Sequence, residues 1–168
     1  MSGPTDSELV IRLADWSNPG DGVTVVNLLD AYAHDPMGGA APLTAFAKEH
    51  LPATMAATPG AFSVIGFQAG NPVALANCFT TLSTFACKPI VNIHDLAVLP
   101  QSRGSGVGQQ MLGFVEEHAR QAGACKITLE VLTGNDRARR SYSRFGFEAY
   151  TLDDTTGQAL FLQKGISL

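Results

Sequence analysis

One stretch near the middle of the chain restricts the fold more than any other. Residues 95–108 read D-L-A-V-L-P-Q-S-R-G-S-G-V-G, which predicts a strand ending at Pro100, a basic glycine-rich turn and the start of a helix. Gly104, Gly106 and Gly108 leave the turn without side-chain bulk, so backbone N–H groups can approach a ligand closely. The first turn of a helix adds unpaired N–H groups and a partial positive charge. The stretch therefore predicts an anion site, most naturally for a phosphate.

The spacing of these glycines differs from that of two common nucleotide-binding turns. A P-loop needs G-x-x-x-x-G-K-[ST], and a dinucleotide fingerprint needs G-x-G-x-x-G, whereas the spacing here is G-x-G-x-G. Arg103 brings a full positive charge to the same turn. The pattern Arg103-x-x-Gly106-x-Gly108 resembles motif A of the GNAT family of N-acetyltransferases. The resemblance implies that the turn binds the pyrophosphate of acetyl-coenzyme A through Arg103, Gly104, Ser105, Gly106, Val107 and Gly108.

A second motif follows at the separation expected for the same family. Residues 135–147 read N-D-R-A-R-R-S-Y-S-R-F-G-F, and Asn135, Ala138, Tyr142 and the Gly-Phe pair that closes the run resemble motif B. Ala138 and Tyr142 are four residues apart and share a helix face. Alone, Tyr142 would be an ordinary half-buried aromatic residue. The resemblance implies that Asn135 contacts the cofactor near its pantetheine amide, that Ala138 lets the cofactor pack closely and that Tyr142 protonates the departing thiolate.

The rest of the chain predicts strands and helices in an order that fits this family. The order is β-α-α-β-β-β-α-β-α-β-β, and the fold class is α/β (α+β), with a central mixed, mostly antiparallel sheet and helices on both faces. We expect one domain over residues 1–168. The predicted strands cover residues 9–13, 62–68, 72–84, 90–99, 126–132, 147–151 and 159–163, and the predicted helices cover 23–33, from about 43, 106–121 and 135–145.

Three local features refine these elements. Residues 18–22 predict a turn, and Pro52 should kink or end the second helix. The strand at 126–132 should lie parallel to the strand at 90–99, because a helix connects them. In the helix at 106–121, apolar residues recur at helical spacing and predict a buried face of Val107, Met111, Leu112, Val115 and Ala119.

Composition excludes several other functions. A net charge of −4 and a pI of about 5.4 argue against sequence-independent nucleic-acid binding, which needs a basic face. Cys78, Cys87 and Cys125 form no C-x-x-C pair and predict reduced core thiols, without a metal site or a disulfide framework. The first residues lack the features of a signal peptide, and no apolar run approaches membrane-spanning length, which predicts a soluble cytoplasmic protein with no membrane partner.

The strand before the glycine turn carries the residues best suited to the chemistry. A primary amine with a pKa of ~10.4 is only about 0.1% neutral near pH 7, so a general base must take its proton. His94 is the leading candidate, with a hydrogen-bonded structural histidine as the alternative. Asp95 is either an attractor for the cationic amine or a structural carboxylate, and Glu130 is a weaker candidate base. Strand alternation places His94 and Asp95 on opposite faces unless a bulge intervenes.

The family resemblance extends to the substrates. It implies a bulge that splays this strand from the next one, so that the backbone of Leu96, Ala97 and Val98 contacts the pantetheine arm. Residues 83–85, 88–89 and 93–98 resemble spermidine/spermine and related diamine acetyltransferases, which tend to carry Glu-Asp where this chain has His94-Asp95. Candidate acceptor segments are residues 35–42 and 81–85. The resemblance also implies a homodimer, since relatives often pair.

Three functions follow from these features. The first is direct transfer of an acetyl group, in a ternary complex, from acetyl-coenzyme A to a primary amine of a small molecule such as a polyamine, a diamine or an amino-acid-like compound. The second keeps the reaction but changes the acceptor to a protein lysine or N-terminus. The third is a catalytically silent acyl-coenzyme A-binding module, against which the presence of both His94 and Tyr142 argues.

Overall fold

The computed structural model describes residues 8–153, 155 and 157–166, which fall into two compact units. The first unit ends at Leu129 and the second begins at Glu130. The expectation of one domain over the whole chain stays a prediction. The first unit contains β1 (Leu9–Leu13), α1 (Pro19–His34), α2 (Ala45–Ala57), β2 (Ala61–Gln68), β3 (Asn71–Ser83), β4 (Lys88–Val98), a 3-10 turn (Pro100–Ser102), α3 (Val107–Gln121) and β5 (Lys126–Leu129), and the second contains α4 (Asp136–Phe145).

The five strands form one mixed sheet in the order β1-β2-β3-β4-β5. All neighbours are antiparallel except β4 and β5, which are parallel as predicted. On one face, Val25 and Leu28 of α1 pack against Ile65 and Leu75 of the sheet. On the other face, Met111 of α3 lies so close to Gly66 that a Cβ there would be 3.1 Å from its sulfur. The predicted mixed sheet with helices on both faces is therefore confirmed.

Helix α3 forms as its sequence predicts. It begins at Val107, one residue later than expected, and ends at Gln121. Its buried residues are Val107, Met111, Leu112, Val115 and Ala119, the complete predicted set. This agreement follows from the regular spacing of its apolar residues, which fixes one side of the helix without reference to any distant part of the chain.

The predicted turn at residues 18–22 is wrong, because helix α1 begins there. The side chain of Asn18 accepts a hydrogen bond from the N–H of Gly20 at 3.0 Å, and Pro19 occupies the first helical position. Asparagine at the cap and proline in the first turn are helix-start signals as well as turn residues. Helix α2 continues through Pro52 to Ala57, so the proline does not end it. Its ring packs where Gly22 of α1 has no side chain, since a Cβ there would lie 3.1 Å from Pro52 Cβ.

The last two predicted strands are wrong within the described residues. Residues 147–151 and 159–163 form only an isolated antiparallel bridge between Thr151 and Gln158, beside a hydrogen bond of 2.9 Å from the N–H of Ala159 to the carbonyl of Tyr150. Strand β5 also ends at Leu129, three residues short of the predicted 132. An apolar run becomes a strand only where a neighbouring strand pairs with it. The side chains of residues 160–162 are accordingly exposed.

The prediction of three core thiols is correct for Cys78 only. Cys78 is buried in β3, and burial raises the pKa of its thiol to about 12. Cys87 and Cys125 are exposed, and each directly precedes a strand: Cys87 precedes β4 and Cys125 precedes β5. All three are free cysteines. Among the described residues, no helix combines the length and the apolar character needed to cross a membrane.

An ion pair between half-exposed Arg12 and buried Asp21 fixes β1 to the start of α1, and we expect its loss to destabilise the protein. Asp21 is 3% exposed and accepts hydrogen bonds of 2.8 Å from Nη2 of Arg12 and from the N–H of Asp15. Asp21→Asn should lower the free energy of unfolding at pH 7 by about 1.5 kcal/mol, because the Arg12 guanidinium and the N–H of Asp15 lose a charged acceptor. Urea unfolding monitored by circular dichroism measures this change.

The contribution of Asp21 to the free energy of unfolding should depend on pH. The hydrogen bonds from Arg12 hold the pKa of Asp21 below its ordinary value. Its stabilising contribution is therefore fully present above a pH of about 4 and is lost as the pH falls through the lowered pKa. The difference in the free energy of unfolding between Asp21→Asn and the unmodified protein should therefore become smaller as the pH falls below about 4. Glu117→Gln, which removes an exposed partner of Arg120 on α3, is the control and should change stability by less than about 0.5 kcal/mol.

Candidate active site

The glycine turn leads from the 3-10 turn into α3 with two residues in the left-handed backbone region. Gly104 has a φ of +81° and Gly106 a φ of +88°, and Gly106 is the N-cap of α3. The Ser105 hydroxyl donates to the carbonyl of Ser102 at 2.7 Å, which holds the turn together. The first N–H groups of a helix have no partner within the helix and carry its partial positive charge. The geometry therefore fits the predicted phosphate turn, while the roles of its residues stay predictions.

Arg103 connects this turn to two other segments of the first unit. Its Nε donates to the carbonyl of Val98 at 2.8 Å, and its Nη2 donates to a carboxylate oxygen of Asp35 at 2.8 Å. Both side chains of this ion pair are largely buried. Asp35 follows α1 directly, in the segment predicted to contact the acceptor. Because Asp35 offsets the charge of Arg103, the positive character of the turn comes mainly from backbone groups and from the end of α3.

The edge of β4 that faces β5 is open beyond Ile93. The ladder between the two strands joins Ile90–Ile93 to Lys126–Leu129, and β4 continues to Val98 without a described strand beside it on that edge. The N–H of Leu99 points the other way, to the carbonyl of Val73 at 2.8 Å. Since peptide directions alternate along a strand, the N–H groups of Leu96 and Val98 point toward the open edge. These are the groups predicted to contact the pantetheine arm, with Ala97 between them.

A β-bulge at His94 explains how the two candidate catalytic residues share a face. Asp95 pairs with Asn77 and Ile93 pairs with Cys78, so His94 is the extra residue. The ring of His94 is exposed and meets Phe79 edge to face, with 5.5 Å between the ring centres. Asn77 and Phe79 lie two residues apart and thus on one face of β3. The bulge therefore turns both His94 and Asp95 toward the same side of the sheet, which is the exception to strict alternation that the sequence left open.

The surroundings of Asp95 include residues that the sequence did not single out. The amide of Asn77 donates to Asp95 at 3.0 Å, and the hydroxyl of Ser63 donates to the carbonyl oxygen of Asn77 at 2.5 Å. Burial raises the pKa of the Tyr32 phenol, and the negative charges of Asp95 and Asp35 raise it further. A lone asparagine inside the apolar run of β3 is the signal that could have identified Asn77, because buried amides need partners. Tyr32 fitted the apolar spacing of α1 and gave no such signal.

A cavity of about 230 Å³ lies between the end of α1 and the end of β4. This volume is below the roughly 300–1,000 Å³ of typical small-molecule sites, so the cavity has room for only part of a larger ligand. Asp35 of the first predicted acceptor segment lines the cavity, whereas the described lining contains no residue of 81–85, and the acceptor role of both segments stays a prediction. The lining residues are Ala31, Tyr32, His34, Asp35, Ala97, Val98, Leu99, Pro100 and Arg103.

The second unit contains the residues of the second motif. Asn135 caps α4, since its side chain accepts the N–H of Ala138 at 3.2 Å. Ala138 and Tyr142 are both half-buried on this helix, and the ring of Tyr142 meets Phe147 edge to face at 5.9 Å. Glu130 is exposed at the start of the unit. The capping bond gives Asn135 a structural role, and the predicted cofactor contacts of the motif, like the base role of Glu130, stay predictions.

Comparison with known proteins gives one family. A model of the Acetyltransferase (GNAT) family matches residues 26–147. The chain is 31% identical to an uncharacterized N-acetyltransferase, YhfO, of Bacillus subtilis over 88 residues, which are 52% of this chain and 59% of that protein. It is 42% identical to an aminoalkylphosphonate N-acetyltransferase of Salmonella typhimurium over 59 residues, 35% of this chain and 38% of the relative. The matched segments thus cover less than two thirds of these relatives.

A solved structure supports the fold over a much longer stretch. The aminoglycoside N-acetyltransferase AAC(6')-Iy, in complex with the bisubstrate analogue CoA-S-monomethyl-acetylneamine, superposes with a TM-score of 0.73 at 17% identity. The superposition covers 95% of this chain and all of the other. The two chains therefore share an architecture despite their divergent sequences.

Proposed function

The chain belongs to the acetyltransferase (GNAT) family, and from that membership we propose that it transfers an acetyl group from acetyl-coenzyme A to a primary amine of a small molecule. The open edge of β4 beyond Ile93 supports this function most directly, because it brings strand N–H groups next to the glycine turn at the start of α3. A pantetheine arm can pair with such an edge as a further strand would. The turn can then bind the diphosphate that continues the same ligand.

Three groups of the protein have separate roles in the proposed reaction: a general base, a donor to the carbonyl oxygen and a general acid. His94 takes the proton that the amine loses as its nitrogen attacks the thioester carbonyl carbon. A backbone N–H on the open edge donates to the carbonyl oxygen as negative charge develops there. The new bond is carbon to nitrogen and the broken bond is carbon to sulfur, so the sulfur leaves with the electron pair. Tyr142 donates the proton that converts this thiolate to a thiol.

We place the acceptor among small cationic amines, with polyamines and diamines first. Tyr32 lines the cavity, and its phenol feels the negative charges of both Asp95 and Asp35. A half-buried aromatic ring next to carboxylates favours an ammonium group. The likeness of residues 93–98 to diamine acetyltransferases points to the same class. Assembly as a homodimer and a cytoplasmic location are part of this proposal.

An amine panel tests the function and separates it from its two rivals. Release of free thiol from acetyl-coenzyme A is followed with spermidine, putrescine, 2-aminoethylphosphonate, a lysine-containing peptide and a peptide with a free N-terminus. The enzyme blank must be subtracted, because exposed Cys87 and Cys125 react with thiol reagents as well. We expect turnover with small amines. Turnover with peptides alone would favour a protein acetyltransferase, and tight binding of acetyl-coenzyme A without turnover would favour a silent module.

Removal of the Asp95 charge should weaken amine binding more than it slows the reaction. We expect Asp95→Asn to raise the KM for spermidine about tenfold with little change in kcat, because the variant keeps the size of the side chain and removes its attraction for an ammonium group. Steady-state kinetics at saturating acetyl-coenzyme A measure both constants. Glu116→Gln, which removes one exposed carboxylate from α3, is the control and should leave both constants unchanged. An unaltered KM in Asp95→Asn would remove Asp95 from acceptor binding.

A further inference from the structure

A buried chain of polar side chains crosses three strands of the sheet and ends at Asp95. Ser63 in β2, Asn77 in β3 and Asp95 in β4 lie opposite one another in the register of the sheet. Ser63 is 1% exposed and Asn77 is 2% exposed, in a layer that otherwise contains apolar residues such as Ile65 and Leu75. Polar groups in such a layer cost free energy unless they are hydrogen-bonded. This row of three polar side chains is thus a specific feature of the sheet, because apolar packing alone would not require it.

The charge of Asp95 determines the orientation of the Asn77 amide. An ionised carboxylate accepts hydrogen bonds and cannot donate them, so the NH₂ group of Asn77 must face Asp95. The carbonyl oxygen of Asn77 then faces Ser63, whose hydroxyl donates to it. Rotation of the amide by half a turn would set an oxygen against the carboxylate. Both ends of the amide are therefore held, and its contact with Asp95 is fixed in one geometry.

Asp35, which lines the cavity, and Asp95 of β4 have neighbours of different charge. Asp35 is paired with Arg103, whose guanidinium offsets the negative charge. The partner of Asp95 in β3 is the neutral amide of Asn77, which orients the carboxylate and leaves its charge in place. The other titratable groups near Asp95 are Tyr32 of α1, Cys78 of β3 and the adjacent His94. A carboxylate that is held by a neutral donor suits the binding of a cation.

We propose that Asn77 is a positioning residue for the acceptor: through its amide it holds the Asp95 carboxylate in the orientation that binds the ammonium group of the substrate, and Ser63 keeps the amide in place. This role rests on the proposed function, because it needs an amine acceptor that binds at Asp95. Asn77 itself is too deeply buried to contact the substrate. Its effect on the acceptor must therefore pass through Asp95.

A double-mutant cycle tests whether Asn77 acts through Asp95. Asn77→Leu keeps the size of the side chain and removes the donor, and we expect it to raise the KM for spermidine about fivefold while the Kd for acetyl-coenzyme A is unchanged. In the Asp95→Asn background, the same substitution should raise the KM no further, because coupled residues are not additive. Equal fold-changes in both backgrounds would overturn the inference while leaving the acetyltransferase function intact.

Two further variants separate positioning from general damage to the sheet. Asn92→Leu removes an amide that bonds Thr128 of β5 at 3.1 Å, and it should leave the KM for spermidine unchanged. If Asn77→Leu does not fold, Ser63→Ala takes its place, since it frees the amide and keeps its donor. We expect Ser63→Ala to raise the KM about twofold. An unchanged KM in a folded Ser63→Ala or Asn77→Leu protein would overturn the positioning role.

A spectroscopic readout tests the role without turnover. The side-chain amide signals of Asn77, assigned by comparison with Asn77→Leu, are followed by ¹H–¹⁵N NMR as spermidine is added. We expect them to shift in the unmodified protein and to stay in place in Asp95→Asn. An absence of any shift in the unmodified protein would overturn the inference. A normal shift without acetyl transfer to any amine would instead contradict the proposed function alone.

Discussion

Replacement of Tyr142 by phenylalanine is expected to lower kcat about a hundredfold and to leave the Kd for acetyl-coenzyme A unchanged. A coenzyme thiolate is a poor leaving group unless a proton reaches the sulfur, and a phenol with an ordinary pKa of about 10 can supply one at neutral pH. The substitution removes only the hydroxyl. The ring can keep its edge-to-face contact with Phe147 and its place on α4. Steady-state kinetics and calorimetric titration with acetyl-coenzyme A measure the two effects separately.

Tyr150→Phe is the matched control for this prediction. Tyr150 lies in the same unit as Tyr142 but is 61% exposed and belongs to neither motif. We expect loss of the Tyr150 hydroxyl to change neither kcat nor the Kd for acetyl-coenzyme A. If kcat in Tyr142→Phe equals that of the unmodified protein, Tyr142 is not the acid. If kcat holds and the Kd rises, the hydroxyl binds the cofactor and has no part in proton transfer.

Replacement of Gly106 by valine is expected to raise the Kd for acetyl-coenzyme A about a hundredfold. The φ of +88° at this N-cap disfavours a β-branched residue by about 1–2 kcal/mol, so the turn must change shape. Loss of one or two charge-assisted hydrogen bonds to a diphosphate costs about 1.5–3 kcal/mol each, and ~2.8 kcal/mol corresponds to a factor of 100. Apart from its neighbours in sequence, no atom of the described residues lies within 4 Å of a Cβ at this position. The loss therefore comes from the backbone and the ligand, without a clash inside the protein.

Gly70→Val separates loss of binding from backbone strain. Gly70 lies in the turn between β2 and β3 with a φ of +76°, and a Cβ there would likewise meet no atom within 4 Å in the part of the chain that the structure describes, its sequence neighbours aside. Both variants should lower the melting temperature by similar amounts, because both force valine into the same backbone region. We expect only Gly106→Val to weaken binding of acetyl-coenzyme A. Equal affinities in the two variants would mean that the turn does not bind the diphosphate.

Local patterns predict much of this fold because they depend on neighbours in sequence. The buried face of α3 follows from the spacing of its apolar residues, and the glycine turn from its composition. The start of α1 is ambiguous in the sequence because Asn18 and Pro19 serve both turns and helix caps, and only the residues after them decide between the two. The last two strands are predicted from short apolar segments, residues 147–151 and 159–163. Such a segment does not supply the partner that a strand needs.

The features of the candidate site that join distant segments were not predictable in the same way. The Asp35–Arg103 ion pair connects residues 68 positions apart, and the Asn77–Asp95 hydrogen bond lies beside a bulge that shifts the register between β3 and β4. Nothing in the single sequence pairs these side chains. Tyr32 and Ser63 were equally unpredictable, because neither stands out within its own helix or strand. Such residues become visible only when the sheet brings their strands together.

The bulge has a consequence for how the chemistry of this strand can change. Because His94 is the extra residue, deletion of that position would leave every remaining rung between β3 and β4 intact, with Asp95 still opposite Asn77. The candidate base, His94, is thus a residue that has no partner in the register between β3 and β4. We therefore expect substitution of its side chain to leave the pairing of β3 with β4 intact, so the chemistry at this position can change without a change in the register of the sheet.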